Sequence, residues 1–141
     1  MMSDLNTLLA ERACQRLMIE YCECVDSRQF DRLVMLFAKD GVLNRSDTGE
    51  IRGRAAIRAF FDALPSGPFI HAGSNQLVTV TGPQTAEGTS YVTVCRSVGK
   101  SASGLPKLDP PYLVAKYVDR FVVEDGEWRF GYRDTIFVAR E

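Results

Sequence analysis

The sequence predicts an α+β fold: a curved, cone-shaped antiparallel or mixed sheet, barrel-like, with three N-terminal helices enclosing an apolar cavity. Two observations predict it. The first 64 residues carry apolar side chains at helical intervals, and everything after Pro65-Ser-Gly-Pro68 is rich in Val, Thr, Tyr, Phe and Ile. The turn signals that separate the later segments are short, so consecutive strands pair antiparallel. Helices first and a meander afterwards place the helices on one face of the sheet.

Residues 5–27 hold Leu9, Ala10, Ala13, Cys14, Leu17, Met18, Tyr21, Cys24 and Val25 at steps of three and four, the stripe of an amphipathic helix. Ser3 or Asn6 is placed to cap it. A second helix is read over about 29–38, with Phe30, Leu33, Val34, Leu36 and Phe37 inward and Asp40-Gly41 as its stop. Segments 42–45 and 50–52 flank Ser46-Asp-Thr-Gly49, which is hairpin chemistry. A third helix runs from Gly53 to about Leu64, with Ile57, Phe60, Phe61 and Leu64 as its stripe. Strands are expected over 69–80, 85–98, 112–124 and 127–138, the last two joined through Asp125-Gly126. Gly73, Gly88 and Gly131 could bend them. The connection at 99–111 is the one long loop.

With 141 residues, the chain is expected to form one domain over 1–141. It is 45% apolar and 25% charged, with a net charge of −1. No basic excess points to nucleic acid and no charge block to a membrane surface. No run approaches the ~18 apolar residues of a spanning helix. The first residues lack a cationic start and apolar run, so a cytoplasmic location is expected. Cys14, Cys22, Cys24 and Cys95 match no zinc spacing and read as buried free thiols; no metal is expected.

His71 is the only histidine. Histidine titrates near neutral pH, so it is the obvious proton carrier, and a carboxylate is its natural partner. Strand alternation puts His71, Gly73, Asn75, Leu77 and Thr79 on one face of the 69–80 strand, which makes Asn75 a candidate ligand contact. Asp26 ends the first helix, five residues after Tyr21, so both could border one cavity. Phe37, Phe60, Phe61 and Leu64 are candidates for its mouth, and Tyr91, Tyr117 and Arg96 for its strand walls. Asp119 and Arg120 read as a structural charge pair, and Trp128 as core.

These residues fall into a known pattern. Tyr21-x4-Asp26, Phe30-Asp-Arg-Leu33, Leu36-Phe-Ala-Lys-Asp40, Gly53-Arg-Ala-Ala-Ile57, His71 with Asn75, Tyr117-Val-Asp-Arg120 and Asp125-Gly-Glu-Trp-Arg129 carry it. On these the chain resembles the SnoaL-like branch of the nuclear transport factor 2-like superfamily, nearest its scytalone dehydratase and bile-acid 7α-dehydratase relatives. The resemblance implies a cone-shaped cavity in which Asp26 orients His71 as general base, with Tyr21 completing the set. It also implies a cofactor-independent lyase or isomerase, dehydratase-like, acting on a hydrophobic cyclic small molecule. The superfamily's other uses leave two alternatives. One is a non-catalytic module that binds a small ligand; the other is a partner subunit like the β subunit of ring-hydroxylating dioxygenases. A homodimer or homotrimer is expected, because the sheet's outer face is rich in Val, Tyr and Phe.

Overall fold

The computed structural model describes residues 2–108 and 112–140. Helix α1 (Asp4–Asp26) starts at Ser3, whose hydroxyl accepts the Asn6 N–H at 3.1 Å. Ala10, Cys14, Leu17, Met18, Tyr21, Cys24 and Val25 are buried, close to the predicted stripe. Its end is closed by Arg28 at φ +54°, with the Gln29 N–H donating to the Cys24 carbonyl. A left-handed residue at this place satisfies the last carbonyls.

Helix α2 (Phe30–Val34) is shorter than expected, and strand β1 (Phe37–Arg45) begins where the helix was to continue. Leu36 and Phe37 are buried as predicted, but Phe37 lies on the sheet. Gly41 is therefore no helix stop. It sits in an irregular stretch of β1 between the pairs Phe37↔Phe130 and Val42↔Tyr132. A Cβ there would lie 2.9 Å from the Ala38 carbonyl oxygen and 3.0 Å from that of Phe130, so the close approach needs glycine. A short apolar run such as Leu33–Ala38 cannot by itself distinguish helix from strand, and tertiary pairing decided this one.

Strand β2 (Gly49–Arg52) forms the expected hairpin with β1, and α3 (Arg54–Asp62) follows. Then come β3 (Phe69–Gly82), β4 (Thr85–Lys100), β5 (Pro106–Leu108), β6 (Leu113–Glu124) and β7 (Glu127–Arg140). The connection read over 99–111 thus carries a short strand, and its residues 109–111 lie outside the described residues. The sheet order is β2-β1-β7-β6-β4-β3, with β5 on β4. All neighbours are antiparallel except β1 and β7, which run parallel, so the sheet is mixed, curved and unclosed.

Two bulges decide which side chains face inward. Between Ser74 and Leu77 the register with β4 slips by one residue, and Asn75 takes φ +53°. One extra residue reverses the alternation downstream. Leu77 is 71% exposed, while Val78 and Val80 pack on the core. The expected common face of His71, Leu77 and Thr79 is therefore broken. A second slip, between the pairs Arg120↔Tyr132 and Phe121↔Phe130, reverses β7 at Gly131 and turns Arg133 and Thr135 inward. Asp119 pairs with that Arg133 rather than with Arg120, whose guanidinium stacks on Tyr132 at 4.6 Å. Trp128 is half-buried against the core.

Helix α1 lies against β3 and β4. At Gly88 a Cβ would sit 2.6 Å from Met18 Cε and 2.9 Å from Phe121 Cε2. Gly88→Val is expected to cost about 1–3 kcal/mol through overpacking. A denaturant midpoint equal to the parent's would show that α1 has slack there. Among the described residues no helix is long and apolar enough to cross a membrane.

Candidate active site

The last residue of α1 and the third residue of β3 meet. His71 Nδ1 lies 2.6 Å from Asp26 Oδ1, and the His71 backbone N–H donates to Asp26 Oδ2 at 2.9 Å. Both carboxylate oxygens are thus committed to one residue. The double contact fixes the imidazole's orientation and assigns Nδ1 as donor, since a carboxylate only accepts. Nε2 is left as the basic nitrogen. The two side chains are 14% and 25% exposed.

His71 borders a chamber of about 220 Å³ between the helices and the inner face of the sheet. Its apolar walls include Val25, Phe60, Phe61, Leu64, Phe69 and Val94. Tyr21 and Tyr117, 2% and 4% exposed, form its buried side. Arg45, bonded to Asp47 through Nε and Nη2, and Arg96, stacked on Tyr112 at 4.7 Å, line it too. Asp26 does not touch this chamber. It opens with His71 on a separate cleft of about 210 Å³ beside Cys22, Gly73 and Gln76. The carboxylate therefore holds the ring from outside the chamber.

Of the sequence candidates, the structure brings Tyr21, His71, Phe60, Phe61, Leu64, Tyr117 and Arg96 to the chamber, with Asp26 behind. Three candidates lie elsewhere. Asn75 is exposed in the β3 bulge. Tyr91 points to the outer face, 38% exposed and near Lys116, because β4 turns its even-numbered residues inward. Phe37 is fully buried behind Tyr21 and Phe130, with ring centroids 6.2 and 5.2 Å away, and lines no cavity.

Sequence reasoning missed Arg133. It is fully buried, donates to Asp119 from Nε at 2.9 Å and Nη2 at 3.3 Å, and lies against three rings. Its Cζ is 3.6 Å from the Tyr117 centroid, 4.2 Å from Tyr21 and 4.5 Å from Phe130. Guanidinium on aromatic faces is a favourable cation–π arrangement. The signal that could have found it is Gly131, where the bulge turns β7 over. Burial pushes the Tyr21 phenol up to about 12, against the pull of Arg133, and pushes Tyr117 well above its ordinary value. Both phenols are therefore protonated, and both are donors, at neutral pH. Burial also pushes the Asp119 carboxyl up, which Arg133 opposes.

A shallow depression of about 490 Å³ on the outer sheet face, between Leu77, Glu87, Arg120 and Tyr132, contains no histidine. Among the described residues no three His, Cys, Asp or Glu side chains gather as a metal site would require.

The SnoaL-like domain family matches residues 6–134. The chain belongs to the SnoaL-like family. Solved structures in the same superfamily share its fold. A Mycobacterium tuberculosis protein of unknown function is 28% identical, covering 96% of this chain and 76% of that one, at a TM-score of 0.78. A type 3 hexachlorocyclohexane dehydrochlorinase, LinA, from Novosphingobium barchaimii is 22% identical over 99% and 93%, at 0.82. A scytalone dehydratase-like protein from Novosphingobium aromaticivorans is 21% identical over 99% and 91%, also at 0.82. No curated protein matches the sequence. As a SnoaL-like domain, the chain shares an architecture on which different chemistries are built, so function has to be argued from the site.

Proposed function

We propose that this SnoaL-like protein is a cofactor-independent lyase or isomerase that removes a proton from carbon in a small, hydrophobic, cyclic substrate. The observation that carries this reading is the 2.6 Å contact of His71 Nδ1 with Asp26, made from behind a ring that borders an apolar chamber. Asp26 stabilises the imidazolium that forms when Nε2 takes the proton. Tyr21 donates a hydrogen bond to the oxygen on which negative charge grows. The proton on Nε2 then returns to a different carbon, which is isomerisation, or goes to a departing hydroxyl, which leaves as water. The chamber is smaller than the about 300 Å³ at which sites for drug-sized ligands begin, which favours a substrate of one or two rings.

The test is incubation of the protein with small cyclic ketones and hydroxyketones in heavy water, followed by mass spectrometry. Deuterium beside the carbonyl, or loss of water, is expected at a rate proportional to protein concentration. Ligand recovered bound and unchanged would make the protein a carrier. The outer sheet face, where Leu77, Val118 and Ile136 stand exposed, is the surface we assign to pairing of copies in a homo-oligomer.

A further inference from the structure

A second hollow, of about 360 Å³, lies at the turn between α3 and β3, where residues 65–68 face Phe69, Arg96 and Ser97. It shares Pro65, Phe69 and Arg96 with the chamber, so the two spaces adjoin at Arg96. Besides His71, the charged side chains that line the chamber are Arg45, Asp47 and Arg96. Arg45 holds Asp47 with two nitrogens, at 3.0 and 3.1 Å, so its charge is answered where it stands. Among the described residues, no acidic side chain lines the second hollow. The Arg96 guanidinium lies 4.7 Å from the centre of the Tyr112 ring, a contact that restricts its movement. A guanidinium carries five N–H donors, more than one carboxylate uses, so it can take a further acceptor whatever else it holds. Its planar fork matches the two oxygens of a carboxylate.

Strand register sets the distance from this cation to the base. Across β3 and β4, Val94 pairs with His71 and Arg96 with Phe69, so Arg96 stands two residues further along the sheet on the same face. Two residues of strand measure about 7 Å. The Phe69 ring lies between these levels, 6.5 Å from the His71 ring. A six-membered ring with a short side chain spans that interval. We infer that the substrate is a ring compound carrying a carboxylate on a short side chain, with its ring in the chamber beside His71 and its carboxylate in the second hollow, held by Arg96. This names the substrate class for the site proposed above and rests on that reading. Arg96 is then a binding residue that selects the acid, while His71 performs the chemistry.

The test measures binding alone, so it does not depend on turnover. The probes are 3-phenylpropanoate and 3-phenylpropanamide, which share a shape and differ in charge. Isothermal titration at neutral pH should show the parent protein binding the propanoate at least about 10-fold more tightly. Arg96→Gln should weaken the propanoate by about 10- to 100-fold, the value of hydrogen bonds to a charged group. Its affinity for the propanamide should hardly move, which also reports that the chamber is intact. Arg96→Lys keeps the charge and should retain part of the preference, and His71→Gln should retain all of it. Equal affinity of the parent for the two probes would overturn the inference. So would a preference that survives Arg96→Gln, or an equal loss of both probes in that variant, which would make Arg96 a support of the wall. Absence of deuterium uptake from heavy water would end the proton-transfer reading and leave the preference for the acid standing.

Discussion

His71→Gln is expected to lower turnover of a ring ketone by about 10²- to 10⁴-fold, the usual contribution of a positioned general base. Glutamine keeps the backbone N–H that Asp26 Oδ2 accepts at 2.9 Å, so β3 stays attached to the end of α1. What it loses is a nitrogen able to take a proton. Asp26→Asn should cost an amount of the same order for a different reason. An amide can present its NH₂ to Nδ1, which inverts the tautomer and places the proton on the wrong nitrogen. It also withdraws the charge that favours the imidazolium. Because the two residues act as a unit, the double variant should be hardly slower than either single one. The check is kcat/KM for the three variants, with circular dichroism to confirm that each is folded. Losses that multiply in the double variant would mean the pair does not work as one device.

The second large effect concerns stability. Asp119→Asn removes the charge facing a fully buried guanidinium. Breaking one side of such a pair costs about 3–5 kcal/mol, because the remaining ion has neither water nor counter-charge. Arg133 already has one nitrogen, Nη1, without a partner, so it has no second acceptor to turn to. Replacing both residues by apolar ones of similar size, as in Asp119→Leu with Arg133→Met, should restore much of the loss, since a well-packed pair of hydrophobes matches a buried ion pair. Denaturant melts of the parent and the two variants decide it. If the double variant is less stable than Asp119→Asn, the buried charges hold the sheet together by more than their mutual compensation.

The sequence made the site's two poles legible and hid its floor. Asp26 and His71 could be singled out because one ends a strongly periodic helix and the other is the only histidine. Alternation along a strand then fails wherever a residue is inserted. Alternation alone puts Asn75 on the face of His71, but the bulge between Ser74 and Leu77 reverses the strand, and the left-handed φ of Asn75 marks the place. The same operation at Gly131 turned Arg133 inward, so that Asp119 bonds across to β7 and not to the adjacent Arg120. Tyr91 was undecided because nothing in β4 says which parity faces the helices. Phe37 belonged to the right cluster but to the wrong layer, since the short helix ends before it and its ring packs behind Tyr21. The first and third helices, the hairpins and the four long strands depend on local chemistry and could be read from it, whereas the boundary between α2 and β1 was set by pairing with β7. Inward orientation depends on register, which is a property of pairs of strands.

The parallel contact between β1 and β7 has a consequence for how the protein comes into being. It joins residues 37–45 to β7 (Glu127–Arg140), so an inner strand of the sheet is made after all the other strands described. During synthesis, β1 has to wait with an unpaired edge until β7 emerges. Such distant pairing slows folding and exposes the chain to aggregation meanwhile. Strand β7 also brings Arg133. A chain shortened before β7 would therefore lack both its closing strand and the cation beneath the two tyrosines, and assembly of the scaffold and completion of the chamber become a single event.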